Sequence, residues 1–234
     1  RVLIELWISD GTASGTFMVK DVCPFPYGGG QCPFTPIGLP AEVVNDVLYF
    51  PATDGLHGSE LWRSDGTADG TVMVKDIRTE ESYPSSDPEE LTNVGGILFF
   101  SVIDEGGWCR DLWKSDGTEA GTILVKDFSS CEMGFPRCLK NVGGILFFIR
   151  GYALWKSDGT PAGTVNVKNI QAANLIDVNG TLFFSPYNRE LWKSDGTEAG
   201  SVLVKSFNNG LDGLENLSNA EGALFFSADD GTSG

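Results

Sequence analysis

Residues 61–76 read Leu-Trp-Arg-Ser-Asp-Gly-Thr-Ala-Asp-Gly-Thr-Val-Met-Val-Lys-Asp. Two short runs, Leu61 to Ser64 and Val72 to Lys75, alternate in side-chain character around a stretch holding an Asp and two glycines. That is the pattern of two antiparallel strands joined by a turn. The phrase returns from Leu6 (LWISDGTASGTFMVKD), Leu112 (LWKSDGTEAGTILVKD), Leu154 (LWKSDGTPAGTVNVKN) and Leu191 (LWKSDGTEAGSVLVKS). The step from Trp to the later Lys is 13 residues in every copy: Trp7 to Lys20, Trp62 to Lys75, Trp113 to Lys126, Trp155 to Lys168 and Trp192 to Lys205. Trp-to-Trp steps are 55, 51, 42 and 37, so all length variation falls between the phrases, in loops.

A second phrase precedes each full copy: VVNDVLYFPA from Val43, LTNVGGILFFS from Leu91, LKNVGGILFFI from Leu139 and LIDVNGTLFFS from Leu175, with LSNAEGALFFS from Leu217 at the end. Short apolar runs around Gly-Gly, Asn-Gly or Glu-Gly read as hairpins whose turns need positive φ. Each unit is four short strands, called a (LTNV), b (ILFFS), c (LWKSD) and d (TILVKD). Their repetition predicts an all-β five-bladed β-propeller of four-stranded antiparallel blades. The blades fall at 41–80, 89–128, 137–170 and 173–207 of a single domain, 1–234. A closing blade joins 214–234 to 1–22, where N-terminal strands c and d pair with C-terminal strands a and b. An open stack of hairpins is the alternative.

The motif Glu-Leu-Trp with Asp-Gly-Thr stands at Glu5-Leu6-Trp7 and Asp10-Gly11-Thr12, at Glu60-Leu61-Trp62 and Asp65-Gly66-Thr67, and at Glu190-Leu191-Trp192 and Asp195-Gly196-Thr197. It resembles the ELWxxDGT repeat family of secreted and cell-surface proteins, over nearly the full chain; Asp111 and Ala153 replace the Glu in the other copies. The resemblance implies a secreted setting and no established activity. The blade count is also similar to that of tachylectin-type sugar-binding propellers, an analogy of fold alone.

The composition narrows the function. Sixteen Lys and Arg stand against 32 Asp and Glu, a net charge of −16, which repels phosphate backbones and excludes nucleic acid as a partner. No apolar run approaches the roughly 20 residues that cross a bilayer, so membrane insertion is not expected. The chain opens at Arg1 and reads as a mature product or an excised segment. His57 is the single histidine, and no nucleophile elbow, P-loop, HExxH or paired-carboxylate motif stands apart from the repeat, so the chain reads as no enzyme and no residue is nominated for catalysis.

The five strand-c tryptophans read as packing between blades, and the strand-b Phe pairs as contacts to both sides of each sheet. Asp10, Asp65, Asp116, Asp158 and Asp195 each stand alone in their turns, unlike the several carboxylates of a calcium loop, so they read as turn staples. Neither metal nor cofactor is expected beyond weak Ca2+ binding. The lysines at fixed repeat positions read as cross-strand charge partners.

Individuality lies in the d-to-a and b-to-c connections. Residues 21–40 carry five prolines, one charge, Cys23, Cys32, Phe25, Tyr27 and Phe34. This stiff aromatic loop either caps the ring or forms a contact surface. Trp108, outside the repeat register, joins Tyr152 and Tyr187 on the same face; it stacks on a ligand or packs on the next loop. Cys23 with Cys32, and Cys131 with Cys138, are close enough for loop disulfides, which argues for an oxidising setting. Cys109 is left unpaired, displaces one of these pairings, or links another chain. Asn179 and Asn216 begin N-glycosylation sequons. The chain thus reads as an extracellular binding or adhesion module for a glycan or protein. The alternative is a subunit of a fibre, coat or sheath, joined to copies of itself by propeller contacts or strand exchange.

Overall fold

The computed structural model describes residues 5–23, 41–79, 84–103, 107, 109–128, 134–186, 189–207 and 214–229. The chain divides into two compact units, Arg1–Ser129 and Ser130–Gly234.

The first unit contains β1 (Leu6–Ile8) and β2 (Phe17–Lys20), then β3 (Glu42–Val44), β4 (Val47–Thr53), β5 (Ser59–Ser64) and β6 (Val72–Lys75), then β7 (Glu89–Val94), β8 (Ile97–Ile103), β9 (Arg110–Ser115) and β10 (Ile123–Lys126). The second contains β11 (Arg137–Val142), β12 (Ile145–Arg150), β13 (Ala153–Ser157) and β14 (Val165–Lys168), then β15 (Ile176–Val178), β16 (Thr181–Phe184), β17 (Glu190–Ser194) and β18 (Val202–Ser206), then β19 (Glu215–Ala220) and β20 (Ala223–Ser227). Strands β3 to β18 make four four-stranded sheets, each a meander of consecutive antiparallel strands, as the repeat requires. At the two ends of the expected closing blade, β1 pairs with β2 in one two-stranded sheet, and β19 with β20 in another.

Local chemistry sets these elements. The a-to-b turns use positive φ at both central positions, as at Gly95-Gly96, Gly143-Gly144 and Asn179-Gly180. Asn45-Asp46 reaches the same conformation without glycine, on two residues whose short polar side chains tolerate it. In every c–d pair the register shifts once, so that Leu61 faces Lys75 while Trp62 faces Met73, and Val74 is the extra residue of a bulge. The shift turns that valine inward at Val19, Val74, Val125 and Val167, which are buried, while Val204 stands exposed.

Packing between successive sheets supplies the core. In the first unit, Trp62 lies among Leu6, Val19, Val22, Phe50 and Ala52, and Trp113 packs on a cluster including Val44, Tyr49, Leu61, Leu98 and Phe100. In the second, Trp192 packs on Val142, Phe147, Ile149, Leu154 and Phe184. The packing reading of the strand-c tryptophans therefore holds at these three positions. Trp155 stacks on Phe148 of its own sheet, with centroids 6.1 Å apart. Trp7 departs from the pattern, at 61% exposed against 6% for Trp62. Phe225 likewise stands 59% exposed, whereas Phe99, Phe100, Phe147 and Phe148 are buried.

Replacing Trp62 with Ala should cost about 3–5 kcal/mol, the range for a large buried ring. Replacing Trp7 with Ala should cost under about 1 kcal/mol, since most of that ring already meets water. Urea unfolding of the two variants beside the parent measures both.

Candidate functional site

The repeated turn is the most densely bonded polar element. In β5–β6, the Oδ1 of Asp65 accepts the backbone N–H of Thr67 at 2.9 Å and its hydroxyl at 2.7 Å. The Oγ1 of Thr67 accepts the N–H of Gly70, and the hydroxyl of Thr71 donates to the Thr67 carbonyl. With the Thr71 proton so committed, the Ser64 hydroxyl is the donor in its 2.7 Å bond to Thr71, and its oxygen accepts the Gly66 N–H. Asp10, Asp116, Asp158 and Asp195 accept from Thr12, Thr118, Thr160 and Thr197 in the same way. The threonine hydroxyl, then its amide, hold the carboxyls of Asp10, Asp65, Asp116 and Asp195 below the usual carboxylate range. A Cβ on Gly15, Gly70, Gly121, Gly163 or Gly200 would fall on the Asp of its own turn. The five aspartates are thus turn staples, and among the described residues no three His, Cys, Asp or Glu converge as metal ligands.

Three strand-d lysines, Lys20, Lys75 and Lys168, bond to backbone carbonyls of the next sheet, not to the cross-strand carboxylates expected. Lys20 Nζ reaches the next sheet's turn and donates to the carbonyls of Ala68 and Thr71, at 3.1 and 2.7 Å. Lys75 donates to Thr122 at 3.0 Å, and Lys168 to Glu198 at 3.4 Å. Lys75 and Lys168 also lie 5.9 and 5.4 Å from the ring centroids of Trp113 and Trp192. At Lys20, Lys75 and Lys168 the 13-residue spacing brings the cation to a neighbour's turn carbonyls.

The Glu of Glu-Leu-Trp has a role that the repeat pattern did not disclose. Glu5, Glu60 and Asp111 accept the N–H of Val22, Ile77 and Phe128, each 17 residues on, tying the end of strand d to the start of strand c. Glu190 instead accepts from Trp192 Nε1 at 2.7 Å, while the Phe207 N–H goes to the Arg189 carbonyl. Glu60 is fully buried and also accepts the N–H and hydroxyl of Ser86, at 3.0 and 2.6 Å. Burial pushes its carboxyl up to about 7, with nearby Asp76 adding to the rise and the three donors opposing it.

The binding candidates are only partly placed. Phe25, Tyr27, Phe34, Trp108 and Tyr187 lie outside the described residues, as do Cys32 and Cys131. Tyr152 occupies the two-residue turn between β12 and β13 and is 74% exposed. Phe135, which the sequence reading passed over, is 45% exposed in the segment leading into β11. The two segments touch, since a Cβ at Gly134 would lie 3.5 Å from the Gly151 nitrogen. Phe135 follows Gly134 and Tyr152 follows Gly151, so two exposed aromatics rise from adjoining backbone. No sequence signal marked Phe135 beyond its place in a variable connection.

Cys23 and Cys109 are buried and disulfide-bonded. The reading of Cys109 as the unpaired or intermolecular thiol is therefore corrected. Cys109 is 4% exposed, and of the outcomes read from the sequence a local pairing in place of one of the expected ones is the one that remains. Cys138 is exposed. The sequon amides are engaged too: Asn179 Nδ2 donates to the Gly222 carbonyl at 3.4 Å, and Asn216 Nδ2 to Ser227 Oγ at 3.2 Å. Asn45 makes the same reach, to Gly96 at 3.1 Å, so Asn179 also serves as a link between hairpins.

No family model matches the chain, and no curated protein sequence matches it. Among solved structures it is similar to the computationally designed Ika8 protein, with 11% identity and a TM-score of 0.51 over 82% of this chain and 55% of that one. It is also similar to a puromycin hydrolase, with 13% identity and a TM-score of 0.48 over 80% of this chain and 32% of that one. For a nidogen/laminin complex the figures are 10% and 0.44, over 70% and 60%. The chain thus spans about half the length of the designed protein, and at 11% identity that likeness is one of fold alone.

Folded Glu60 keeps its proton to about pH 7, whereas in an unfolded chain a glutamate releases it near pH 4.3. Folding therefore binds a proton in that window, and this group's contribution to stability falls as pH rises through it. Thermal melts between about pH 5 and about pH 8 should show Tm declining for the parent and a flatter profile for Glu60→Gln, which cannot ionise.

Proposed function

We propose that this chain is a non-catalytic extracellular binding or adhesion module that recognises a glycan or protein through the loop face carrying the variable connections. Its sheets are the blades of a five-bladed propeller, the fifth being composed of c and d strands from β1–β2 and a and b strands from β19–β20. The observation that carries the binding reading is the exposed pair Tyr152 and Phe135 on adjoining connections. Exposed aromatic side chains on adjoining backbone suit stacking on a sugar face or an apolar side chain. The disulfide-bonded state of Cys23 and Cys109 supports an oxidising, extracellular setting, as does the resemblance of the Glu-Leu-Trp motif to a secreted repeat family. The net charge of −16 favours neutral or cationic ligands over anionic ones.

Screening the chain on a glycan array and on extracellular proteins, then titrating the best ligand against Tyr152→Ala and Phe135→Ser, tests the binding reading. Each variant should weaken binding by about tenfold or more with Tm unchanged, the loss of one stacking anchor. Unchanged affinity in both variants removes this face as the site.

A further inference from the structure

We propose that Glu60 is a proton-operated clasp: uncharged, it ties the two ends of the connection between β6 and β7 to the start of β5, and ionised it lets that connection loosen. The inference rests on contacts within the first unit and is independent of the aromatic pair at Tyr152.

Geometry makes the clasp. Glu60 is fully buried at the start of β5. Its carboxyl accepts the Ile77 N–H at 3.1 Å, just past β6, and the N–H and hydroxyl of Ser86 at 3.0 and 2.6 Å, shortly before β7. One side chain thus bonds to both ends of the connection. Two further links span it: the Ser59 carbonyl accepts the amides of Ser86 and Asp87 at 3.0 and 3.1 Å, and Arg78 Nη1 donates to the Ser85 carbonyl at 3.3 Å. Their acceptors are backbone carbonyls, which do not titrate, so Glu60 is the link on which pH acts.

The repeat shows that the clasp needs a second carboxylate. Sixteen residues after the strand-c acid stands an Asp in the first three copies: Glu5 with Asp21, Glu60 with Asp76 and Asp111 with Asp127. In these copies the strand-c acid accepts the amide 17 residues on, at Val22, Ile77 and Phe128. In the fourth copy Ala153 and Asn169 stand at the two places, and the Ile170 amide turns to the Lys168 carbonyl at 3.0 Å. In the fifth, Ser206 replaces the Asp, and Glu190 turns to Trp192 Nε1. Asp21 Oδ1 and Asp76 Oδ1 are buried and meet no donor among the described residues. A buried carboxylate oxygen beside a second acid disfavours ionisation of that acid. Burial raises the Glu5 carboxyl too, with the Val22 amide opposing and Asp21 adding to the rise.

The charged groups around Glu60 come from each adjoining segment. Asp76 stands at the end of β6, and Arg78, itself buried, follows it. From the connection before β5, His57 Nδ1 meets Asp54 Oδ2 at 2.7 Å. That bond holds the imidazole above its usual range, burial opposes it, and the charges of Asp54, Asp76 and Glu60 add to the rise. Asp87, beside Ser86, offers its carbonyl to Arg110 Nη1 at 2.7 Å, and Arg110 pairs with Glu89 at 2.9 Å. As pH rises His57 loses a positive charge and Glu60 gains a negative one, so both changes load the cluster in the same direction.

A glutamate in water releases its proton near pH 4.3, whereas buried Glu60 keeps it to about 7. Opening is therefore least favourable below the first value, grows about tenfold per pH unit between the two, and levels off above the second.

Hydrogen exchange on the 234-residue chain, with each rate divided by the intrinsic rate of that amide at the same pH, reads this opening at Ile77. Protection of the Ile77 amide should fall about a hundredfold between about pH 5 and about pH 7 and then stay level, while amides of β8 and β9 keep theirs. Glu60→Gln should hold Ile77 protection constant over the whole range. Asp76→Asn leaves the three bonds to Glu60 in place, and it should make the fall smaller and end it at lower pH. Ile77 protection that does not change with pH in the parent overturns the proposal, as does a fall that persists in Glu60→Gln or an Asp76→Asn profile identical to the parent's. A fall shared equally by β8 and β9 overturns it as well, by assigning the response to the whole fold. Binding at Tyr152 is a separate measurement, so the two readings fail separately.

Discussion

One aspartate oxygen and one missing Cβ decide the geometry of every c–d turn. The Asp Oδ1 gathers the amide and hydroxyl of the threonine two residues on, and the glycine five residues on leaves room for the carboxylate to sit against its backbone. The turn therefore has one length, which explains why Trp and Lys stay 13 residues apart while the rest of the repeat stretches and shrinks. That fixed span then sets three things at once. It places the bulge that turns Val19, Val74, Val125 and Val167 inward, carries Lys20, Lys75 and Lys168 to the next sheet's turn, and holds the tryptophan in register with the strand-b aromatic.

Each sheet leans on its neighbour through the same few contacts. Within the first unit, Lys20 satisfies carbonyls of the Ala68 to Thr71 turn, Lys75 does so at Thr122, and Trp62 and Trp113 each pack among side chains of the sheet before them. Coupling between nearest neighbours is the energetic form of a repeat protein, in which each unit's stability includes the interface it shares.

The strands, their antiparallel order, the hairpin turns and the turn aspartates were all legible in the sequence, because each depends on residues close together along the chain. Period-2 alternation, Gly pairs and a five-fold repeat carry that information locally. What escaped depends on partners far away in sequence. The Glu of Glu-Leu-Trp meets an amide 17 residues on, and the strand-d lysine meets carbonyls up to 51 residues on. Neither distance is visible in a motif. The charge-partner reading failed for a related reason: a lysine beside many carboxylates is assumed to pair with one, yet the nearest acceptors here are backbone carbonyls held in place by the turn. Cys109 was misread because cysteine spacing along a loop says nothing of which way the loop folds. The candidate site was the least legible part, since Phe135 gains meaning only when its segment is seen against Gly151.

Recognition and stability draw on different parts of this design. The turns and the Glu links hold the sheets with short local bonds, so the d-to-a and b-to-c connections carry none of the ladder and are free to differ. That freedom allows Gly134 and Gly151, both at positive φ, to bring Phe135 and Tyr152 onto adjoining backbone without disturbing β11 to β13. The b–c ladder is the opposite case, with no freedom of register, because the same aromatic pairing recurs in every four-stranded sheet. A variable loop face held on so constant a ladder suits recognition of something other than the chain itself.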